Sequence, residues 1–327
     1  MGVEDFIVKY GKRVFHKIFS NFKNPRIRDS YFGKKILSEE QGNDHIAQLL
    51  RSNQPFMVAR IGQAELAAVI NYQEIQELKR LNPLKRLAAQ IYGKDKYWNP
   101  ISVREIGVNA GLFPVTEASL TQFAEVYSDS IKRTDALGVW YSYGEDLLFK
   151  KYCPEATLIP LVSIEPYYFK DPWSRNLRGK KVLVVHPFEK SIQQQHLIHQ
   201  SLFSNVNVYP DFELKTIKAV QSLANNPTRF SSWFEALDYM KEEIDKVDFD
   251  IAIIGAGAYG LPLAAHVKDM GKQAIHMGGA TQLFFGIRGA RWEENALIRT
   301  FFNEHWVRPL PEEVPEKFRD VEKGCYW

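Results

Sequence analysis

The sequence lacks the features that mark several specialised classes of protein. It has only two cysteines, Cys153 and Cys325, and their spacing matches no metal or redox motif. So little cysteine is typical of a reduced cytoplasmic protein. No apolar run approaches the ~20 residues needed to cross a bilayer, and the first residues lack the apolar core of a signal peptide. We therefore expect a cytoplasmic protein.

The chain also lacks a large excess of charge of either sign, internal repeats and low-complexity linkers. Its formal net charge is only +3, which argues against a general nucleic-acid binder. Of its 327 residues, 45% are hydrophobic and 25% are charged, as in ordinary globular proteins. This length and composition fit one large domain or two ordinary ones.

Positive charge is concentrated at the N-terminus. Residues 1–36 contain nine Lys and Arg against three Asp and Glu, which gives 9 − 3 = +6. Apolar residues such as Ile7, Val14 and Ile18 recur there at helical spacing. A basic amphipathic helix either lies on an anionic membrane surface or packs against protein, and the packed helix is commoner. We predict a basic helical extension over residues 1–40 and one α/β domain over residues 41–327.

Apolar strands alternate with helical segments through the rest of the chain. This alternation predicts an α/β fold with a Rossmann-like, mainly parallel sheet flanked by helices. Ligands of such sheets bind beyond the carboxyl ends of the strands, which gives weight to the loops after residues 55–61, 180–188 and 248–257. Strands are also predicted in DALGVWYS, ATLIPLV, NVNVYP and KQAIHMGG, and a loop in GKDKYWNPISVREIGVNAGLFP.

A glycine-rich turn follows the apolar segment DFDIAII. Gly255, Gly257 and Gly260 match G-x-G-x-x-G, the dinucleotide-binding fingerprint. An NAD site also needs an acidic residue about 20 positions later, at the end of the next strand. That strand ends in His276-Met277-Gly278-Gly279, without an acid. The turn therefore either contacts a phosphate or sugar or connects strand to helix without binding anything, and NAD binding is the weaker interpretation.

The segment HMGGATQLFFGIRGARW adds glycines and arginines to this end of the chain. Arginine forks suit phosphate oxygens, and glycines let backbone approach a ligand. Structural ion pairs are the alternative role for the two arginines. The predicted phosphate-binding residues here are Gly278, Gly279, Thr281, Gln282, Arg288 and Arg291.

A third group of candidates follows residues 55–61, where the chain continues Arg60-Ile61-Gly62-Gln63-Ala64-Glu65. Glu65 stands at a strand-to-helix turn, where a carboxylate can bind a divalent cation together with substrate phosphates. It can equally cap the helix without any metal. Arg60, Gly62 and Gln63 are predicted to contact the phosphates of the same ligand.

Together RIGQAEL, VNAGLFP and GAGAYG with the GGATQLFFGIRGARW tail resemble the GT-D-fold glycosyltransferases, bacterial enzymes that build surface glycans and modify glycoproteins. The resemblance covers most of the chain after the basic segment. It implies a nucleotide-sugar donor and a D-x-E motif that holds a divalent cation, Mg²⁺ or Mn²⁺. Here the motif is Gln63-Ala64-Glu65, so only Glu65 carries over as catalytic and metal-binding residue. Arg60, Arg288 and Arg291 are the alternative source of positive charge.

A base for the acceptor hydroxyl is sought among the polar residues that follow strands. His186 and Glu189 are the first choice, and Glu145 and Asp146 the second, although each has an ordinary structural role as an alternative.

We therefore expect a cytoplasmic hexosyltransferase, with no nucleic-acid partner, that acts in bacterial surface polysaccharide or glycoprotein biosynthesis. Its acceptor is a glycan, a lipid-linked or a protein-linked molecule, and the N-terminal helix suggests contact with the inner membrane face. The alternatives are a Rossmann-type NAD(P) or FAD oxidoreductase and a non-catalytic nucleotide-sugar-binding protein.

Overall fold

A computed structural model describes residues 30–91 and 97–327. The predicted basic helical extension spans residues 1–40, of which residues 1–29 lie outside the described residues and stay a prediction. Residues 30–35 form two short strands instead, and a helix begins at Glu39. In the described part no helix is long and apolar enough to span a bilayer.

The core is a seven-stranded, all-parallel sheet, which confirms the predicted α/β fold class. A two-stranded hairpin, β1 (Ser30–Tyr31) and β2 (Lys34–Lys35), precedes it. The sheet order is β5-β4-β3-β9-β8-β6-β7. Its strands are β3 (Phe56–Arg60), β4 (Ala136–Val139), β5 (Thr157–Pro160), β6 (Lys181–His186), β7 (Glu213–Lys218), β8 (Ile251–Ile254) and β9 (Gln273–His276).

Helices cover both faces of this sheet. They are α1 (Glu39–Arg51), α2 (Gln63–Arg80), α3 (Pro83–Ile91), α4 (Pro100–Val108), α5 (Glu117–Ile131), α6 (Glu145–Tyr152), α7 (Glu189–His196), α8 (Trp233–Asp245), α9 (Gly260–Asp269), α10 (Thr281–Phe284), α11 (Ala290–Glu293) and α12 (Ala296–Arg299). Alternate residues of one strand enter different apolar clusters: Met57 and Ala59 enter one, Phe56 and Val58 the other. Two buried faces explain why the central strands are continuously apolar.

The strand order reverses direction beside β3, the first strand of the sheet in the chain. From β3 the chain adds β4 and β5 on one side, and later returns through β8 and β9 to pair with β3 on the other. Loops that leave neighbouring strands at such a switch point diverge, and the crevice between them is where ligands bind in α/β proteins.

Two predicted elements are wrong. NVNVYP is a turn that buries Val208 and Tyr209, and the strand is the next segment, β7, at the sheet edge. Its alternation of polar and apolar residues is typical of an edge strand, whereas the apolar residues of the turn serve the core. The predicted loop over residues 93–114 contains α4, which begins at an Asn99 cap followed by Pro100. An Asn cap before a first-turn proline is a recognised helix start.

Glu145 ties the hairpin to the sheet near the switch point. Its buried Oε2 accepts hydrogen bonds from the Tyr31 hydroxyl at 2.8 Å and from the backbone N–H groups of Trp140 and Tyr141 at 3.0 and 3.1 Å. Burial raises the pKa of this carboxyl to about 7, although these hydrogen bonds favour its charged form. Glu145, a second-choice base in the sequence, thus fixes the chain that follows β4.

We expect Glu145→Ala to lower the free energy of unfolding by on the order of 3 kcal/mol, because three buried donors lose their acceptor. Glu145→Gln keeps an acceptor oxygen and should cost less. Urea unfolding measures both, with Glu155→Ala at an exposed position as the control. Equal stability of Glu145→Ala and the control would contradict this role.

Candidate functional site

A cavity of about 540 Å³ opens at the switch point, beyond the carboxyl ends of β3, β4, β5, β8 and β9. This volume lies within the range of small-molecule sites. Three parts of the chain line it. Residues that follow the strands are Arg60, Gly62, Gln63, Ala64, Glu65, Trp140, Leu161, Glu165, Gly257, His276, Met277, Gly278, Gly279 and Ala280; α4 and its end contribute Glu105 and Asn109; the C-terminal segment contributes Arg291, Trp292, Glu322 and Tyr326.

Arg60 is the cation at the centre of this arrangement. It ends β3, and its guanidinium carbon lies 4.3 Å from the ring centre of Trp140. Gly278 also lies close to this guanidinium, since a Cβ there would lie 2.7 Å from Nη1 of Arg60. Gly278 also has φ +66°, so a larger residue is disfavoured on two grounds. Among the described residues, no hydrogen-bond partner reaches the buried Nε of Arg60.

Glu65 lies in the first turn of α2 and is only 8% exposed. Its carboxylate folds back over Gly62, leaving no room for a Cβ there. Burial raises the pKa of the carboxyl, and a hydrogen bond to its own backbone N–H and the charge of Arg60 oppose the shift. Since Gly62 offers no capping side chain, Glu65 serves the unpaired N–H groups of this helix start.

The predicted metal site finds little support in these residues. Gln63 is exposed while the Glu65 carboxylate is buried against Gly62, so the two side chains have different surroundings although both residues line the cavity. In residues 30–91 and 97–327, no group of three His, Cys, Asp or Glu side chains is arranged to hold a metal ion. A single buried carboxylate beside an arginine fits a divalent cation poorly.

Glu165 is a cavity residue that the sequence did not single out. It follows β5 and accepts a short hydrogen bond through Oε2 from the hydroxyl of the buried Tyr167. Burial raises its pKa to about 7, although the Tyr167 hydrogen bond and Arg60 favour the charged form. The strand-end rule that selected three other loops would have selected this one, had it been applied to ATLIPLV as well.

The three fingerprint glycines have different roles. Gly257, with φ +54°, lines the cavity. A Cβ at Gly255 would lie 2.6 Å from both the His186 ring and the Thr281 hydroxyl, and a Cβ at Gly260 would lie 2.5 Å from Cδ2 of His276. Two of the glycines therefore make room for neighbouring side chains, a structural requirement that produces the same motif without a dinucleotide.

The two predicted bases lie outside the cavity. His186 is buried, its Nδ1 accepts from the backbone N–H of Phe188 at 3.0 Å, and burial lowers its pKa to about 3. Glu189 begins α7 and accepts from the Thr216 hydroxyl at 2.9 Å.

Three predicted phosphate-binding residues also lie outside it. Thr281 is fully buried, and the Gln282 amide donates to the backbone oxygens of Ile287 and Tyr326. The Arg288 guanidinium carbon lies 5.9 Å from the Phe302 ring centre. The glycine–arginine tail therefore combines cavity residues with residues that hold its own loops in place.

The C-terminal segment forms one wall of the cavity. Gly279 packs directly against the ring of Tyr326, leaving no room for a Cβ. Arg291 pairs with Glu322 and donates to the Tyr326 hydroxyl at 3.3 Å, so its charge is already partly offset. This wall could not be predicted from the sequence, because Glu322 and Tyr326 follow no strand and lie far along the chain from the other cavity residues.

The ionised cavity would carry two arginines against Glu65, Glu105, Glu165 and Glu322, which gives 2 − 4 = −2. Burial reduces this negative charge, because it raises the pKa of both Glu65 and Glu165. An anionic ligand would enter such a site with Arg60 as its principal positive partner.

Comparison with known proteins gives two structural neighbours. No family model matches the chain, and no curated protein matches it significantly. The chain is similar to the selenomethionine-substituted structure of domain of unknown function 1792, at 11% identity and a TM-score of 0.36 over 84% of this chain and 96% of that one. A second structure, described as "The highly conserved domain of unknown function 1792 has a distinct glycosyltransferase fold", matches at 12% identity and a TM-score of 0.35 over the same shares.

Proposed function

We propose that this chain is a glycosyltransferase that moves a sugar from a nucleoside diphosphate sugar to an acceptor hydroxyl. The observation that carries the proposal is Arg60, fixed beside Trp140 and close to Gly278 in a cavity at the switch point of the sheet. In line with the sequence resemblance, the acceptor is a glycan, a lipid-linked or a protein-linked molecule of bacterial surface polysaccharide or glycoprotein biosynthesis.

The reaction needs positive charge where the leaving group develops negative charge. The acceptor oxygen forms a bond to the anomeric carbon, the bond from that carbon to the diphosphate breaks, and its electron pair leaves with the nucleoside diphosphate. A guanidinium can bind two phosphate oxygens at once and stays charged at any relevant pH. Because Arg60 is held by its neighbours before the donor arrives, little reorganisation is needed during the reaction.

Glu165 is the residue that we assign as base for the acceptor hydroxyl. One of its oxygens is anchored by the Tyr167 hydroxyl, and its side chain lines the same cavity as Arg60. A pKa of about 7 suits a group that must take up a proton at neutral pH. His186 and Glu189 are less suitable as the base, since both lie outside the cavity.

An oxidoreductase is the less favoured function for this site. No acidic side chain follows β9, where an NAD enzyme needs one to bind the ribose. Neighbouring side chains occupy the space beside Gly255 and Gly260. In a non-catalytic nucleotide-sugar-binding protein, Arg60 would still bind the diphosphate, but Glu165 would not act as a base.

The first experiment identifies the donor from the change in melting temperature that each candidate ligand causes. We expect the melting temperature to rise with at least one UDP-, GDP- or dTDP-sugar and to stay unchanged with NAD(P) or FAD. Arg60→Ala should weaken that binding by roughly 10- to 100-fold, because a charge-assisted hydrogen bond is lost. Arg175→Ala, which removes an exposed ion pair with Asp171, is the matched control. Stabilisation by a redox cofactor alone would contradict the proposal.

Metal removal tests the role of Glu65. Because the donor set around it suits a cation poorly, we expect turnover of the identified donor to stay within about twofold in excess EDTA, with Arg60 supplying the charge. The measurement is release of nucleoside diphosphate, with and without added Mn²⁺. Loss of turnover in EDTA that Mn²⁺ restores would show that a cation does bind the Glu65 region or the donor.

The pH dependence tests Glu165. A base acts when ionised, so the rate should rise with pH through about 7. Tyr167→Phe removes a hydrogen bond that favours the carboxylate, so the rise should move to higher pH. Glu165→Gln should lower turnover by roughly 100-fold or more while donor binding remains.

Glu189→Gln provides the control for this series, since Glu189 lies outside the cavity. Normal turnover in Glu165→Gln, or an unmoved pH profile in Tyr167→Phe, would remove Glu165 from the reaction. Donor binding without turnover in the wild-type chain would favour the non-catalytic alternative.

A further inference from the structure

The hairpin of β1 and β2 presents an aromatic side chain in an unfavourable backbone conformation. Phe32 is 50% exposed at the tip and has φ +49°, and Gly33 follows with φ +83°. Positive φ at both central residues is typical of a type I′ turn, for which Asn-Gly is strongly favoured. A bulky aromatic residue is rare in the left-handed region, and residues held there tend to serve a function beyond the fold.

Lysines lie on the hairpin and on α6 near this aromatic side chain. The Lys150 ammonium lies 4.3 Å from the Phe32 ring centre, and Lys151 follows it on the exposed side of α6. Lys34 and Lys35 form β2 itself. The acidic residues of this region are Asp146, Glu155 and the buried Glu145, so the local balance is 4 − 3 = +1 when all of them are ionised.

Further apolar side chains continue the surface along α6. Tyr143 is 82% exposed just before the helix, and Leu147 is 50% exposed in its first turns. We name this surface the hairpin patch. It consists of Phe32, Lys34, Lys35, Tyr143, Leu147, Lys150 and Lys151.

The hairpin patch is continuous in sequence with the basic N-terminal segment. Residues 1–29 contain seven Lys and Arg against three Asp and Glu, which gives 7 − 3 = +4. In the sequence they directly precede β1.

We propose that the hairpin patch docks this chain on an anionic membrane surface. Lysines attract acidic headgroups, and aromatic side chains are favoured at the boundary between headgroups and acyl chains. This inference does not depend on the identity of the donor.

The patch adjoins the candidate site through one short segment. Trp140, which contacts Arg60, stands three residues before Tyr143, and Glu145 accepts hydrogen bonds from the backbone N–H groups of Trp140 and Tyr141 at the start of that segment. Docking by the hairpin patch would therefore hold the cavity close to the headgroups, where a lipid-linked acceptor presents its sugar.

Vesicle co-sedimentation of the full chain tests this docking. We expect binding to mixed phosphatidylcholine–phosphatidylglycerol vesicles, weakening as salt rises, and no binding to phosphatidylcholine alone. Lys150→Glu with Lys151→Glu should weaken the binding by at least about tenfold. Phe32→Asn should weaken it as well, and its Asn-Gly turn should leave folding intact or improved.

The control is Lys241→Glu in α8 with Lys246→Glu at the C-terminal cap of that helix, which packs beside β7 at the sheet edge opposite β5. This control should bind as the wild type does. Three outcomes would overturn the proposal: no binding of the wild type to anionic vesicles, wild-type binding by both patch variants, or an equal loss in the control. Unchanged melting temperatures and donor stabilisation in the patch variants keep this test separate from the proposed activity.

Discussion

The position of the Arg60 guanidinium is the constraint on which the candidate site depends. Arg60 ends the central strand β3, and the adjoining strands supply its two neighbours, Trp140 after β4 and Gly278 after β9. Glu145 accepts from the Trp140 backbone and thereby fixes one neighbour, and the missing side chain of Gly278 leaves room at the other. The sheet order brings these residues together, because only β3 has both β4 and β9 as neighbours.

The cavity combines one fixed cation, Arg60, with several carboxyl groups. Burial raises the pKa of Glu65 and Glu165, and the positive charge of Arg60 opposes this rise for both carboxyl groups. The two acids nevertheless differ in use. Glu65 is folded onto its own helix start, whereas Glu165 is anchored at one oxygen by Tyr167 within the cavity. Glu65 therefore lies against the turn that follows Arg60, and Glu165 lines the cavity, where we propose that it acts as the base.

The sequence predicted the fold class and one wall of the cavity because both depend on local patterns. Buried parallel strands are continuously apolar, the residues after β3 and β8 were selected by the strand-end rule, and those after β9 were selected for their glycines and arginines. The same rule also selected His186 and Glu189, which lie outside the cavity, since a strand end does not reveal which strands become neighbours. The roles of Gly255 and Gly260 depend on His186, Thr281 and His276, whose proximity appears only in the folded chain. The wall formed by Glu322 and Tyr326 is a long-range contact and leaves no local signal.

The most direct measurement is a crystal structure of the chain with the intact nucleotide sugar that stabilises it. The account predicts the diphosphate within hydrogen-bond distance of the Arg60 guanidinium and the transferable sugar on the side of Glu165. A nucleotide bound elsewhere, or a diphosphate that leaves Arg60 stacked on Trp140 without contacting it, would contradict the assignment of this cavity as the donor site.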